Sequence, residues 1–426
     1  MGHALKLNIM SIVEDTMPVS CIMDHTNYLD ILPVELWNEI YSKIQSSNHR
    51  MDFGFTCKFF KGIMLNDDRF LRIKNIEKNS QYRGIKNINL SQTEITNEKL
   101  EELKGVHGIN LSYTGITDKG LVYLKGVHTI NLSHTGITDK GLKYLKGVRI
   151  ADLSYTGITD KGLKYLKGIR NINLSNTKVT DKGIKYLRGI HSINLSYTEI
   201  TYKSLEYLKG VHTIDLSHTG IKNRGVKYLK GVHTIDLSHT GIRNKTLKFL
   251  RGVNTIFLSH TKITNEGAEN LKGVRSVNLA CTRITDKGVE NLKGVDWIDL
   301  SCTKITDKSL EYLKGVNSVG LSNTRITDKG LAHLRGIHST NLSSTRITNK
   351  GLRYLKGICD IGLSNTKITD EGLRYLKGVQ TIDLSNTRIT DEGLVHLKGV
   401  QTIDLSNTRI TDKGFEQFEI NNQPRI

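Results

Sequence analysis

No stretch of this 426-residue chain approaches the length of a membrane-spanning helix. The opening, Met1 to Val13, is broken by polar residues and runs into Glu14 and Asp15, so it does not read as a secretory signal. Lys6 stands where the N-myristoylation pattern beginning at Gly2 requires serine or threonine. Cysteine is scarce: five residues, an odd number, suit a reducing compartment. No glycine-rich phosphate loop follows a strand, and no nucleophile has a distinctive setting. These absences predict a non-enzymatic chain without cofactor or membrane attachment, in the cytoplasm or the nucleus.

What is present is repetition. A leucine recurs every 21 residues from Leu90 to Leu405, sixteen times, with no insertion or deletion. Such a period means a solenoid, whose units bury their apolar faces only by stacking on one another. The third unit shows the pattern. Val127 to Leu132 alternates apolar and polar residues as a half-buried strand should, and Thr135 and Ile137 turn the chain inward. Thr138 or Asp139 can cap a helix of about two turns that buries Leu142 and Leu145, and Gly147 is a left-handed stop. The acidic start and Lys146 at the end both oppose the helix dipole favourably. A helix this short does not survive alone in water, so stacking must hold it.

The spacing Val127, Ile130, Leu132, Thr135 resembles the strand motif of leucine-rich repeats over residues 85–418, with threonine where asparagine or cysteine is usual. The Ile137 to Leu142 tail, I-T-D-K-G-L, is similar to the cysteine-containing subclass found in eukaryotic F-box proteins, although the unit here is shorter. The resemblance implies an α/β solenoid, a leucine-rich-repeat horseshoe with a parallel concave sheet and short convex helices. Phe415 and Phe418 replace the helix leucines of the last unit and are expected to cap its open edge, before a polar tail at 419–426.

The first 84 residues contain no repeat and balance ten basic against ten acidic residues. After an N-terminal segment, 1–28, residues 29–84 read as a small helical domain with a link to the repeats. Pro33 starts an amphipathic helix that puts Leu36, Ile40 and Ile44 on one side. Leu32, Pro33 and Glu35, then Leu36, Ile40 and Ile44, then Cys57 and Phe60, resemble an F-box over about residues 29–73, with Phe60 where tryptophan is usual. The resemblance implies docking on a Skp-type adaptor of a cullin ubiquitin ligase, with the repeats binding a target protein. The competing expectation is a helical cap that seals the first repeat.

Because the N-terminal region is neutral, the whole charge of +19 belongs to the repeats. One basic column, from Lys104 to Lys398, lies at the helix end of every complete unit and complements the helix dipoles. A second runs only through the latter half, as Lys262, Arg283, Lys304, Arg325, Arg346, Lys367, Arg388 and Arg409, where the first half carries mostly glycine. An alternative reading is therefore a repeat scaffold attracted to acidic proteins or nucleic acid. Aromatic residues do not accompany this stripe as they do in single-strand binders.

Departures from the repeat mark candidate target-binding positions. Phe257 takes a sheet-face column otherwise almost always Asn or Asp, where an exposed ring is expected. Trp297 stands two strands on, beside Asp296 and Asp299, and Cys281 and Cys302 replace polar residues in the next column. His218, His239 and His260 form a ladder that reads as a solvated repeat position rather than a metal site. Asp215 with Asp236, and Asp383 with Asp404, read as copies of one column rather than a catalytic pair. The Asn-Leu-Ser triplets at Asn110 and Asn131 read as by-products of the repeat.

Overall fold

A computed structural model describes residues 71–72 and 86–422. The F-box-like positions Leu32, Pro33, Glu35, Leu36, Ile40, Ile44, Cys57 and Phe60 lie outside these residues.

Every repeat contributes one three-residue strand, from Asn87–Asn89 to Thr402–Asp404, and all pair in parallel in chain order. A two-residue strand, Leu71–Arg72, joins the first edge through Leu71 opposite Ile88, making seventeen strands among the described residues. Register never slips: Ile109 faces Ile130, and Asn110 faces Asn131. Equal spacing in sequence thus becomes straight columns in space, with one residue per strand and about 4.8 Å between neighbours.

The core is a continuous apolar filament behind this sheet. In the third unit Ile130, Leu132, Ile137 and Leu142 are fully buried, and Leu145 and Val148 nearly so. Gly147 adopts φ +87°, ending the helical segment as the sequence predicts. That segment is shorter and tighter than the expected two-turn helix. It is a 3-10 turn over Leu142–Leu145 here, and a single α turn, Asp328–Leu331, running into a 3-10 turn, Ala332–Leu334, further along. A 3-10 turn rises about 2.0 Å per residue against 1.5 Å, so it carries the chain back to the next strand with fewer residues.

The acidic residue at the helix start also does more than cap. Asp139 accepts the backbone N–H of Thr159 at 2.8 Å and the Thr159 hydroxyl at 2.6 Å, stapling its repeat to the next. The carboxylate lies over the following repeat's glycine, where a side chain would collide: a Cβ on Gly141 would sit 2.5 Å from Asp118 Oδ1. Where serine stands instead, as at Ser309, its hydroxyl donates to the carboxylate of Asp286. Threonine, unexpectedly for a ladder position, closes its own turn: Thr114 Oγ1 donates to the Leu111 carbonyl at 2.6 Å.

The array ends on the helix Asp412–Asn422, which runs past residue 418. Phe418 is buried against the last core layer and Phe415 packs beside it, their ring centroids 6.5 Å apart.

Candidate interaction surface

The column preceding the anchor leucine differs from expectation. From Asn110 to Asn341 its polar side chains are buried rather than open: Asn110 is 1% and Asp152 2% exposed. Each accepts the backbone N–H two residues on, Asn110 from Ser112 at 3.0 Å and Asp152 from Ser154 at 2.9 Å. This Asx-type bond shapes the turn out of the strand. Asn110 is thereby occupied and inaccessible, so the triplet at this position serves the backbone.

Phe257 shares the column and is 2% exposed, so the expected exposed ring is corrected. Trp297, two strands on, is 5% exposed, with its ring centroid 6.0 Å from that of Phe257. Strands about 4.8 Å apart let neighbouring side chains shield one another, and two large rings close over the gap between them. Asp299 is fully buried and accepts from Ser301 N at 2.9 Å, while Asp296 is exposed and paired with Arg275. Cys281 and Cys302 are half-buried. The structure brings Phe257 and Trp297 together as an aromatic plug in the sheet face. Asp296 lies outside it.

The next column holds a feature that sequence reading missed. Among the described residues sixteen non-glycine residues, from Gln92 to Asn407, adopt left-handed φ of 53–59°. From Gln92 to Asn386 their backbone N–H groups donate to the next repeat, as Tyr113 does to the Ser133 carbonyl at 3.0 Å. The aromatic members stack: Tyr197, His218, His239 and His260 are separated by 4.1, 4.0 and 4.1 Å. A parallel ladder, His191, His212 and His233, stacks at 4.8 and 4.7 Å. Abundant Asn and His, which tolerate left-handed backbone, were the available signal. Desolvation in the stack, with the charges of His218 and His260, lowers His239 to about 4. Among the described residues no group of three or more His, Cys, Asp or Glu is placed to hold a metal ion.

Asp215 and Asp236 sit side by side, each accepting a serine N–H, at 2.7 Å from Ser217 and 2.8 Å from Ser238. Burial, reinforced by Asp236, pushes Asp215 well above the usual carboxylate range. Both serve the strand-to-turn geometry of their own repeats.

The two basic columns part company in space. Some cations of the helix-end column lie over tyrosines of the next repeat: Lys104 is 5.2 Å from the Tyr123 ring centroid, Arg188 4.7 Å from Tyr207 and Lys293 5.0 Å from Tyr312. Their charge therefore has a packing role. Lys262, Arg283, Lys304, Arg325, Arg346, Lys367, Arg388 and Arg409 are all exposed, and among the described residues none forms an ion pair. Their backbones are fixed: Arg283 N donates to the Ile263 carbonyl at 3.0 Å, and Arg409 N to that of Ile389 at 2.9 Å. Gly136 makes the same bond to Ile116 at 3.2 Å, so the position accepts either glycine or a long cation. No helix among the described residues is long and apolar enough to cross a membrane.

A leucine-rich-repeat family profile matches residues 127–146, 152–167, 274–293 and 379–398. Among solved structures, an internalin of Listeria monocytogenes is 20% identical, with a TM-score of 0.53 over 68% of this chain and 90% of that one. A leucine-rich-repeat protein of Leptospira interrogans is also 20% identical, with a TM-score of 0.54 over 82% of this chain and 97% of that one. No curated protein matches in sequence. The parallel one-strand-per-repeat sheet, its apolar filament and these similarities make the described chain a leucine-rich-repeat solenoid.

Proposed function

We propose that the chain is a substrate-recognition adaptor of a cullin-type ubiquitin ligase. Residues 29–73 dock a Skp-type adaptor, and the repeat array holds a target protein. The observation that carries this reading is the direct succession of Leu32-Pro33-x-Glu35 and Cys57-Lys58-x-Phe60 by repeats bearing the I-T-D-K-G-L tail. The array supports the second half of the reading: it offers a long, repetitive parallel face. Such a protein performs no bond chemistry. It raises the effective concentration of a target near a transfer site and orients it there.

The test is binding of the full chain to a purified Skp-type adaptor, beside a variant with Pro33→Ala and Leu36→Asp. Specific binding by the parent, lost in a variant whose repeats stay folded by circular dichroism, is the expected result. A folded parent that shows no binding removes the ligase link. That outcome leaves a second reading, a repeat scaffold with no ligase connection, which the exposed basic row favours.

A further inference from the structure

The row from Lys262 to Arg409 has no structural employment that explains it. It does not stack on tyrosines as Lys104, Arg188 and Lys293 do, and glycine supplies the same backbone bond in the first half of the array. Eight successive repeats nevertheless carry a cation there. Flawless register places those cations in a straight line, about 4.8 Å apart and roughly 34 Å from end to end. The row also has a neutral border. The left-handed column beside it begins with His260 and continues with Cys281, Cys302, Asn323, Ser344, Asn365, Asn386 and Asn407, uncharged from Cys281 onward.

We propose that this row is a docking track for an extended acidic polypeptide segment lying across the repeats. An extended chain advances about 3.3 Å per residue, so the track spans roughly ten residues of a ligand rich in Asp and Glu. Flexible Lys and Arg side chains absorb the mismatch between the two spacings, and the bordering asparagines offer amide hydrogen bonds to the ligand backbone. A nucleic-acid strand fits less well. The stacked rings of Tyr197, His218 and His239 lie on other repeats, and His260 adjoins only the first position, Lys262, so the row has no run of rings on which successive bases could stack. Acidic side chains of the array do not fill the row: the neighbouring Asp307 and Asp328 carboxylates are engaged by Thr327 and Thr348. The inference rests on the array being a protein-binding surface and is independent of what residues 29–73 dock.

The experiment is fluorescence anisotropy of the full chain with a labelled twelve-residue oligoglutamate, and with a labelled twelve-nucleotide oligothymidylate, across a salt series. Two triple variants of equal charge are compared: Arg325→Ser, Arg346→Ser, Lys367→Ser in the row, and Lys314→Ser, Lys356→Ser, Lys377→Ser at the helix ends. The three helix-end lysines are not among those stacked on a tyrosine, so both variants should melt like the parent. Peptide binding that weakens about tenfold in the row variant and less than about threefold in the helix-end variant supports the track, being the sum expected of three exposed charge contacts. Equal weakening in both reduces the effect to net charge and overturns it. Tighter binding of the oligonucleotide, lost in the row variant, overturns it in favour of nucleic acid, and no binding of either probe overturns it outright. The Skp-type adaptor assay reads a different segment, so neither failure is mistaken for the other.

Discussion

Asp152 shows how a repeat column can conceal an energetic cost. Burial pushes its carboxyl up to about 6, against the lowering effect of the Ser154 hydroxyl and N–H. The folded chain therefore keeps a proton that the unfolded chain releases between about pH 4 and pH 6. Asp152 supports folding below that window and detracts from it as pH rises through it. Asparagine does the same structural work without charge, as Asn131 does by accepting from Ser133 N at 2.9 Å. Asp152→Asn is expected to stabilise the protein at pH 7 by about 1–3 kcal/mol and to change little at pH 4. Melting temperatures at both pH values check this, and an unchanged melt at pH 7 would count against the buried charge. The sequence showed that this column alternates Asn and Asp. It did not show that the column is buried, because an alternating strand pattern predicts an open outer face. The exposed ring expected at Phe257 failed for the same reason.

At the level of the element, the Asp-to-Thr staple is the recurring joint. It repeats as Asp160 to Thr180 and Asp181 to Thr201, then meets Tyr202 and Lys222, which cannot reproduce it. Here Gly225 takes φ +86°, and a Cβ on it would lie 2.7 Å from the Tyr202 carbonyl oxygen. Arg224 covers the Tyr202 ring at 5.7 Å, and a shallow cavity of about 320 Å³ opens among Tyr202, Arg224, Tyr228 and Phe249. Asn223 resumes the joint by accepting from Arg243 N at 2.9 Å and Thr246 Oγ1 at 2.7 Å. The double variant Tyr202→Asp, Lys222→Thr is expected to add a staple worth about 1 kcal/mol. Slower amide exchange at residues 203–226 is the readout, and faster exchange there would mean that the Tyr202 packing matters more than the missing bond. In sequence this break is visible only as two substitutions twenty residues apart. Their connection requires knowing that the helix start of one repeat touches the turn of the next.

For the whole molecule, uniform units imply stability close to a sum of repeat and interface contributions. Removing residues 127–168, two whole units, joins Gly126 to Ile169 and brings Asp118 into the place from which it can staple Thr180, as it now staples Thr138 at 2.8 Å. The shortened chain is expected to fold and to melt cooperatively at a lower temperature. Loss of cooperative unfolding or of solubility would show that the first-half repeats are not interchangeable. The same uniformity underlies the basic row, since only an array without insertions turns eight separated residues into a line.

The sequence by itself determined the period, the strand and its anchor leucine, the inward Ile and Leu positions and the left-handed glycine stop. Each of these is a local consequence of apolar spacing and backbone preference within 21 residues. The tertiary structure decided what stacking alone creates: the buried Asn and Asp column, the staples between repeats, the face-to-face histidines and tyrosines, and the separation of one basic column packed in part on tyrosines from another left open. These depend on distances of a few ångströms between residues about 20 positions apart, and periodicity specifies that such residues are neighbours without specifying which of their atoms meet.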